Sequence, residues 1–165
     1  MPAAPLPPNE SRRLRKLERL AILDTAPEMF SEAVAAAAAS IANTPMSAIS
    51  LVDRDRQWFK GSCGLDVDET SREVSFCAYA ILDDAPLVVP DARVDARFAD
   101  NPFVIDGPNV RFYAGFPLVV DRQRVGALCV IDDRPRELSP DQVERLTVLA
   151  QGASAWLATH GGPDR

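Results

Sequence analysis

Helical spacing of apolar residues marks the two ends of the chain, and strand-like runs mark the region between them. An amphipathic helix is predicted over residues 10–23, where leucines recur every three or four positions between charged side chains. A second, alanine-rich helix is predicted over 27–42, beginning at Pro27 and ending before Pro45. The N-terminal third is therefore predicted to be mostly helical.

Two β-hairpins are predicted, because apolar runs flank short polar turns at 53–56 and 121–124. The four predicted strands cover residues 47–52, 57–62, 111–120 and 125–132. Between the hairpins, the pattern predicts a short helix over 74–82 and a short strand over 86–89. The segment 90–110 has no clear period and is long for a plain connection, which is typical of a functional loop. Its aromatic residues indicate that it packs against the fold.

A final helix is predicted to begin at Pro140, because Ser139 and Gln142 form a capping-box pattern. Its apolar residues alternate at spacings of three and four, as in a helix–helix seam. Two interpretations stay open: the terminal helices join in a bundle, or each helix packs on its own sheet. The candidate dimer seam is Leu14, Leu17, Ala21, Val143, Leu146, Ala150, Ala153 and Leu157.

Composition and charge narrow the class of protein. With 165 residues, of which 47% are apolar, the chain fits a single domain over 10–160, with a flexible lead-in at 1–9 and a tail at 161–165. A net charge of −6 disfavours nucleic acid, and the basic run 12–16 is interpreted as a solvated helix face. No signal peptide or membrane-spanning run is predicted, and the three cysteines are widely spaced. We expect a cytoplasmic protein with no membrane partner.

Several segments resemble GAF domains, the small sensory modules of bacterial signalling proteins, and most closely those found with sensor histidine kinases and diguanylate cyclases. The resembling segments are Leu17–Glu28, Ile49–Lys60, Ser75–Ile81, Leu87–Ala92, Arg97–Pro102, Arg111–Leu118 and Gly126–Asp132. The resemblance implies an α+β fold with a central antiparallel sheet and the terminal helices on one face. It places the short helix and the long loop on the other face, where they enclose a pocket. It also implies a homodimer formed through the terminal helices.

The candidate pocket combines aromatic walls with polar anchors from the short helix, the long loop and the strand after it. The candidate ligand-binding residues are Phe76, Cys77, Asp91, Arg93, Phe98, Asn101, Arg111, Phe112 and Tyr113. Arginines there could hold a carboxylate or a phosphate. The alternative is that Asp91 and Arg93 pair with each other at the surface, and that Cys77 is a small buried hydrophobe.

The cofactor of the pocket is left unknown, and several kinds are disfavoured. His160 is the only histidine, so neither a two-histidine metal site nor histidine-ligated haem is expected. Bilin-binding relatives place a histidine after the cysteine, whereas Ala78 follows Cys77 here. The residue pattern of cyclic-nucleotide-binding relatives is absent. Free methionine sulfoxide reductases of this family carry a cysteine in the loop, and residues 91–110 contain none.

These observations lead to one expected function and three alternatives. We expect a stand-alone sensory domain without catalytic activity, which binds a small molecule and signals through its terminal helices to a separate histidine kinase or diguanylate cyclase. The alternatives are a dimerisation or scaffold module with a collapsed pocket, a thiol redox sensor at Cys77 or Cys63, and a free methionine sulfoxide reductase.

Overall fold

The computed structural model describes residues 3–160. The predicted tail, 161–165, and the first two residues of the predicted lead-in lie outside the described residues. The helices are α1 (Glu10–Leu20), α2 (Met29–Ala42), α3 (Cys77–Ala80), α4 (Pro102–Ile105) and α5 (Pro140–His160). The strands are β1 (Met46–Val52), β2 (Arg56–Cys63), β3 (Glu69–Ser71), β4 (Leu87–Val89), β5 (Phe112–Val120) and β6 (Gln123–Asp132). In the lead-in, Pro7 is buried and Ala4 packs partly against the cavity side of the sheet.

One antiparallel sheet contains the six strands in the order β3-β2-β1-β6-β5-β4. Both predicted hairpins are present: β1 pairs with β2, and β5 pairs with β6. The two hairpins join through β1 and β6, where Ile49 pairs with Leu128. This sheet with helices on both faces confirms the α+β fold class.

The terminal helices cover one face of the sheet. α2 lies against β1 and β2, and α5 lies against β5. The small side chains of α2, with Ala35, Ala38 and Ala42 fully buried, let its backbone approach the strands closely. Each large aliphatic side chain buried there contributes about 1.5–3 kcal/mol of hydrophobic stabilisation.

The candidate dimer seam is largely used inside the chain itself. Leu17, Leu146, Ala150, Ala153 and Leu157 are all buried in the core between the terminal helices and the sheet. Leu14 and Val143 are half-buried, and Ala21 is exposed. The second interpretation, in which each helix packs on its own sheet, describes this stripe, because side chains in the core are unavailable to a partner.

The middle of the chain covers the opposite face. Phe98 and Val104 are buried there with Phe76, Val89 and Tyr113. The expectation that segment 90–110 packs against the fold is therefore confirmed. The single helix predicted over 74–82 is replaced by a 3₁₀ turn, Arg72–Val74, followed by α3.

Serine side chains set the starts of two helices, α3 and α5. The Ser75 hydroxyl accepts a hydrogen bond from the Ala78 amide, 3.1 Å away, and so begins α3. Ser139 and Gln142 exchange the two hydrogen bonds of a capping box, at 2.8 and 3.1 Å. The predicted start of the last helix is confirmed by this geometry.

Arg13 corrects the interpretation of the basic run 12–16 as a solvated helix face. Its side chain is fully buried. Its guanidinium donates to the backbone oxygen of Val52, 2.6 Å away, and to the carboxylate of Glu10. The remaining basic residues of the run are exposed or half-buried. The buried arginine ties α1 to the end of β1, which helical spacing alone did not reveal.

Candidate functional site

A cavity of about 90 Å³ lies between the sheet and the segment that covers it. Strand side chains form its floor: Met46, Gln57, Phe59, Tyr113, Cys129 and Ile131. Its cover comes from α3, α4 and the end of the long loop: Phe76, Cys77, Phe103, Pro108 and Val110. Two further lining residues, Val67 of the β2–β3 connection and Pro108, are exposed.

Three of the nine candidate ligand-binding residues line this cavity: Phe76, Cys77 and Tyr113. The Tyr113 hydroxyl donates a hydrogen bond to the Cys77 sulfur, 3.0 Å away. The Phe76 ring lies 5.1 Å from the Tyr113 ring, measured between centroids. These three side chains therefore form one connected wall of the cavity.

Phe98 supports that wall from behind. Its ring stacks on the Phe76 ring, with centroids 4.2 Å apart and planes within 5° of parallel. It is fully buried and does not reach the cavity. Offset stacking of this kind adds roughly 0.5–1.5 kcal/mol beyond burial, which holds Phe76 in position.

The side chain of Phe112 lies on the opposite face of the sheet, in the core beneath the terminal helices. Successive residues of a strand point to opposite faces, so Phe112 and Tyr113 cannot both reach one cavity. The expectation that Phe112 lines the ligand site together with Tyr113 is therefore wrong. This alternation was readable from the sequence once the strand had been predicted.

The polar candidates have partners elsewhere. Asp91 and Arg93 form an ion pair of 2.8 Å at the surface, where the Arg93 side chain is 52% exposed. The hydrogen bond from Arg93 lowers the pKa of Asp91. Asn101 begins α4 by accepting from the Phe103 amide and also donates to the Val74 oxygen. Arg111 donates to the backbone oxygens of Val104 and Val110, 2.8 and 3.2 Å away.

Besides the Tyr113 hydroxyl and the thiols of Cys77 and Cys129, the polar groups that line the cavity are the amide of Gln57 and the hydroxyl of Thr70. The Gln57 carbonyl accepts from the hydroxyls of Ser50 and Ser75, and its amide donates to the Thr70 hydroxyl at 2.6 Å. No Asp, Glu, Lys, Arg or His lines the cavity as the described residues form it. A charged ligand would lose its hydration there without gaining a counter-ion, which is costly.

Among residues 3–160, no group of three or more His, Cys, Asp or Glu side chains is placed to hold a metal ion. No helix within that range has the length and hydrophobicity needed to cross a bilayer.

Solved structures share this architecture at low sequence identity. The GAF domain of a phosphoenolpyruvate-protein phosphotransferase from Acinetobacter superposes with a TM-score of 0.65 and 19% identity, covering 89% of this chain and 93% of that one. The GAF-B domain of DevS from Mycobacterium smegmatis gives 0.58 and 18%, covering 77% and 89%. At these identities the likeness shows the fold alone.

A curated relative is much more similar in sequence. A cyclic di-GMP phosphodiesterase of Pseudomonas aeruginosa is 44% identical over 137 residues, which cover 82% of this chain. Similarity at this level to a protein named as an enzyme contradicts the expectation of a protein without catalytic activity. The chain spans 23% of that relative's length.

The GAF domain family matches residues 18–155, from within α1 to near the end of α5. The match covers every strand and both faces of the sheet, including all residues that line the cavity. The chain belongs to the GAF domain family.

Proposed function

We propose that this chain is a sensory domain that binds a small uncharged molecule in the cavity, and that binding regulates hydrolysis of cyclic di-GMP. The observation that carries the proposal is the cavity itself, a mostly apolar chamber whose described lining contains no Asp, Glu, Lys, Arg or His. The output is taken from the phosphodiesterase relative. Signalling passes to a phosphodiesterase region of the same protein or of a partner.

Size and polarity define the class of ligand. A volume of about 90 Å³ corresponds to roughly three water molecules in the liquid, and an apolar cavity of about 150 Å³ holds benzene. The ligand is therefore a neutral molecule of a few non-hydrogen atoms, such as a short alcohol, a ketone or a dissolved gas. Nucleotides and amino acids are too large or too highly charged for it.

The cover is built to respond to an occupant. α3 and α4 are four residues long, and 3₁₀ turns precede both. Such short elements have few internal hydrogen bonds, so their position depends on the side chains packed beneath them. A ligand shifts the cover only if it binds one position of the cover more tightly than another.

A route to the terminal helices begins at the cavity-lining Gln57. Gln57 accepts from Ser75, and the Ser75 amide donates to the Arg72 oxygen, 3.1 Å away. The Arg72 guanidinium donates to Glu10 of α1 at 2.6 Å. Hydrogen bonds thus connect the cavity to the first helix, and a movement of the cover would reach it.

The binding step is tested by NMR and thermal unfolding with named probes. Xenon, 2-propanol and acetone form the neutral set, and cyclic di-GMP, glutamate and acetate form the charged set. We expect saturable shifts of the Gln57 side-chain amide and of the Tyr113 amide with at least one neutral probe. A neutral probe at 100 times its Kd would stabilise the fold by about 2.7 kcal/mol.

A matched pair of variants locates the binding. Leu65→Phe enlarges a half-buried side chain that lines the cavity, and Val94→Phe introduces the same side chain at a position that is 83% exposed. We expect Leu65→Phe to abolish the shifts and Val94→Phe to keep them. Saturable binding of a charged probe alone, or equal binding by both variants, would contradict the proposal.

The output is tested by hydrolysis of cyclic di-GMP in the protein that carries this domain. The neutral probe should change the rate in the Val94→Phe variant and leave it constant in the Leu65→Phe variant. An equal response of the rate in both variants would show that the cavity does not regulate hydrolysis, while leaving the binding result intact.

We propose that a homodimer forms through exposed residues of the helical layer, because most of the predicted seam is buried. Met29, at the start of α2, is 90% exposed. The neighbouring Phe30 lies 5.0 Å from Trp156 of α5, measured between ring centroids. These side chains form an apolar surface on which a second copy of the chain can pack.

A further inference from the structure

Two cysteines from distant parts of the sequence meet at one wall of the cavity. Cys77 is the first residue of α3, Cys129 lies in β6, and both line the cavity. Their exposed fractions are 2% and 1%. Both belong to one buried cluster with Tyr113, whose hydroxyl lies 3.0 Å from the Cys77 sulfur.

Small residues in the sheet make room for this pair. Cys129 lies between Ala48 of β1 and Gly115 of β5 in the sheet. A Cβ atom on Gly115 would overlap the Tyr113 hydroxyl and lie 2.8 Å from its Cζ atom. The Tyr113 side chain therefore folds over Gly115 and presents its hydroxyl to Cys77 at 3.0 Å.

The surroundings make the two thiols unequal. The interaction with Cys129 lowers the pKa of Cys77, burial opposes this, and the hydrogen bond from the Tyr113 hydroxyl lowers the pKa further. The pKa of Cys129 is raised by its interaction with Cys77 and by burial. Cys77 therefore ionises first, and only the thiolate form of a cysteine is a strong nucleophile.

We propose that Cys77 and Cys129 form a dithiol site that a small hydroperoxide, entering through the cavity, oxidises to a disulfide. Hydrogen peroxide has two oxygen atoms and fits a chamber of about 90 Å³. This inference does not depend on the function proposed above, because the thiols react covalently whether or not a reversible ligand exists.

The chemistry balances in two steps. The Cys77 thiolate attacks one peroxide oxygen, the O–O bond breaks, and the released hydroxide takes a proton to become water, leaving a sulfenic acid on Cys77. The Cys129 sulfur then attacks the Cys77 sulfur, the S–O bond breaks, and a second water leaves. Two thiols and one peroxide give one disulfide and two waters. A thiol reductant reverses the oxidation.

The disulfide would connect α3, part of the cavity cover, to β6 at the centre of the sheet. The cover of the reduced protein is held there by side-chain packing and hydrogen bonds. Oxidation would add a covalent link to these contacts. The link would also restrain the first turn of α3, which the Ser75 hydroxyl begins. The site would therefore convert an oxidising signal into a fixed position of the cover.

The test exposes the folded protein to a small excess of hydrogen peroxide and maps cysteines by mass spectrometry after proteolysis. We expect a peptide pair linked through Cys77 and Cys129, lighter by two hydrogens, which disappears on reduction. Cys63 is the internal reference, since it is the more exposed thiol. Oxidation of Cys63 before the buried pair would overturn the proposal.

Two variants separate the roles of the thiols. Cys129→Ser removes the second thiol, so sulfenic acid should accumulate on Cys77 and be trapped by dimedone that is added together with urea after the peroxide has been removed. Cys77→Ser should abolish both the disulfide and any sulfenic acid on Cys129. Sulfenic acid on Cys129 in that variant, or its absence from Cys77 in Cys129→Ser, would overturn the assignment.

Folding is checked in the same samples. Circular dichroism and thermal unfolding identify a variant that has lost its structure, and Cys129→Ala then replaces Cys129→Ser. A disulfide that forms in urea but not in the folded protein would overturn the proposal, because its formation would then need unfolding rather than the cavity.

Discussion

Glu10 and Arg72, 62 positions apart in sequence, are joined by a two-point ion pair with hydrogen bonds of 2.6 and 3.2 Å. The same carboxylate also accepts from Arg13. Arg72 continues to the backbone oxygen of Asp53, 3.0 Å away. One carboxylate thus joins the first helix, the β1–β2 turn and the segment that leads to the cavity cover.

The ion pairs of Glu10 should make the stability of the wild type depend on pH in a defined window. Burial raises the pKa of Glu10, but hydrogen bonds from Arg72 and Arg13 outweigh burial and lower it to about 2. Because the folded value lies below the ordinary one, near 4.5, the stabilisation is complete above pH 4.5 and is lost as pH falls through 2. The side chain is 15% exposed, so we expect Glu10→Gln to lower the free energy of unfolding by about 2–3 kcal/mol at pH 7.

Urea unfolding at a series of pH values measures this effect. The difference between wild type and Glu10→Gln should shrink between pH 4.5 and pH 2. Glu18→Gln, on the exposed face of the same helix, should stay within about 0.5 kcal/mol of wild type. A constant difference from pH 7 down to pH 2 would show that Glu10 does not act through its charge.

Arg13 and Arg15 should differ sharply although both belong to the same basic run. Arg13 is fully buried and hydrogen-bonded to Val52 and Glu10, whereas Arg15 is exposed. Removing one member of a buried charged network costs about 3–5 kcal/mol. We expect Arg13→Ala to lose about that much stability in urea unfolding, and Arg15→Ala less than about 0.5 kcal/mol. Equal losses in the two variants would mean that the burial of Arg13 does not matter.

Local patterns were sufficient for the long helices and the two hairpins of this fold. The capping box at Ser139, the polar turns and the apolar runs predict the last helix and both hairpins, since the interactions involved span a few residues. The pairing of Asp91 with Arg93 is equally local, two positions apart. Such a pair is predictable from the sequence because residues so close along the chain can reach each other without any tertiary structure.

The candidate site was predicted less completely, because it depends on long-range contacts. Cys77 and Cys129 are brought together only by packing α3 against β6, and Gln57 joins the cavity through a strand on the far side of β1. Phe112 was misplaced for a different reason. Neighbouring residues of β5 point to opposite faces of the sheet, so Phe112 cannot share the cavity with Tyr113.

Arg93 tests the distinction between the cavity and the surface of the loop. Its side chain pairs with Asp91 and lies outside the cavity, so Arg93→Ala should leave the binding of neutral probes unchanged. Stability should stay close to that of wild type, as is usual when one partner of an exposed ion pair is removed. Titration by NMR and thermal unfolding provide both measurements. A severalfold loss of probe binding would show that Arg93 takes part in binding.

Met29 tests the proposed homodimer. Because this side chain is 90% exposed in the single chain, Met29→Glu should leave folding intact while placing a charge on the proposed contact surface. We expect sedimentation to show dissociation of the wild-type dimer in this variant. Val94→Glu, which is 83% exposed on the opposite layer, should sediment as wild type does. A monomeric wild type, or a dimer in both variants, would refute this surface.

Gly115 and Tyr113 provide a double-mutant test of the wall that carries the thiols. A methyl group on Gly115 would overlap the Tyr113 hydroxyl and approach its ring, so Gly115→Ala must displace the tyrosine. Overpacking of this kind costs about 1–3 kcal/mol. Tyr113→Phe alone loses the hydrogen bond to Cys77, which is worth about 1 kcal/mol. Because the phenylalanine ring lacks the overlapping oxygen, Gly115→Ala should cost less in the Tyr113→Phe background than in wild type.

Denaturant unfolding of the four proteins gives the coupling energy. A coupling near zero would mean that the tyrosine does not rest on Gly115, and the contact that presents its hydroxyl to Cys77 would lose its support.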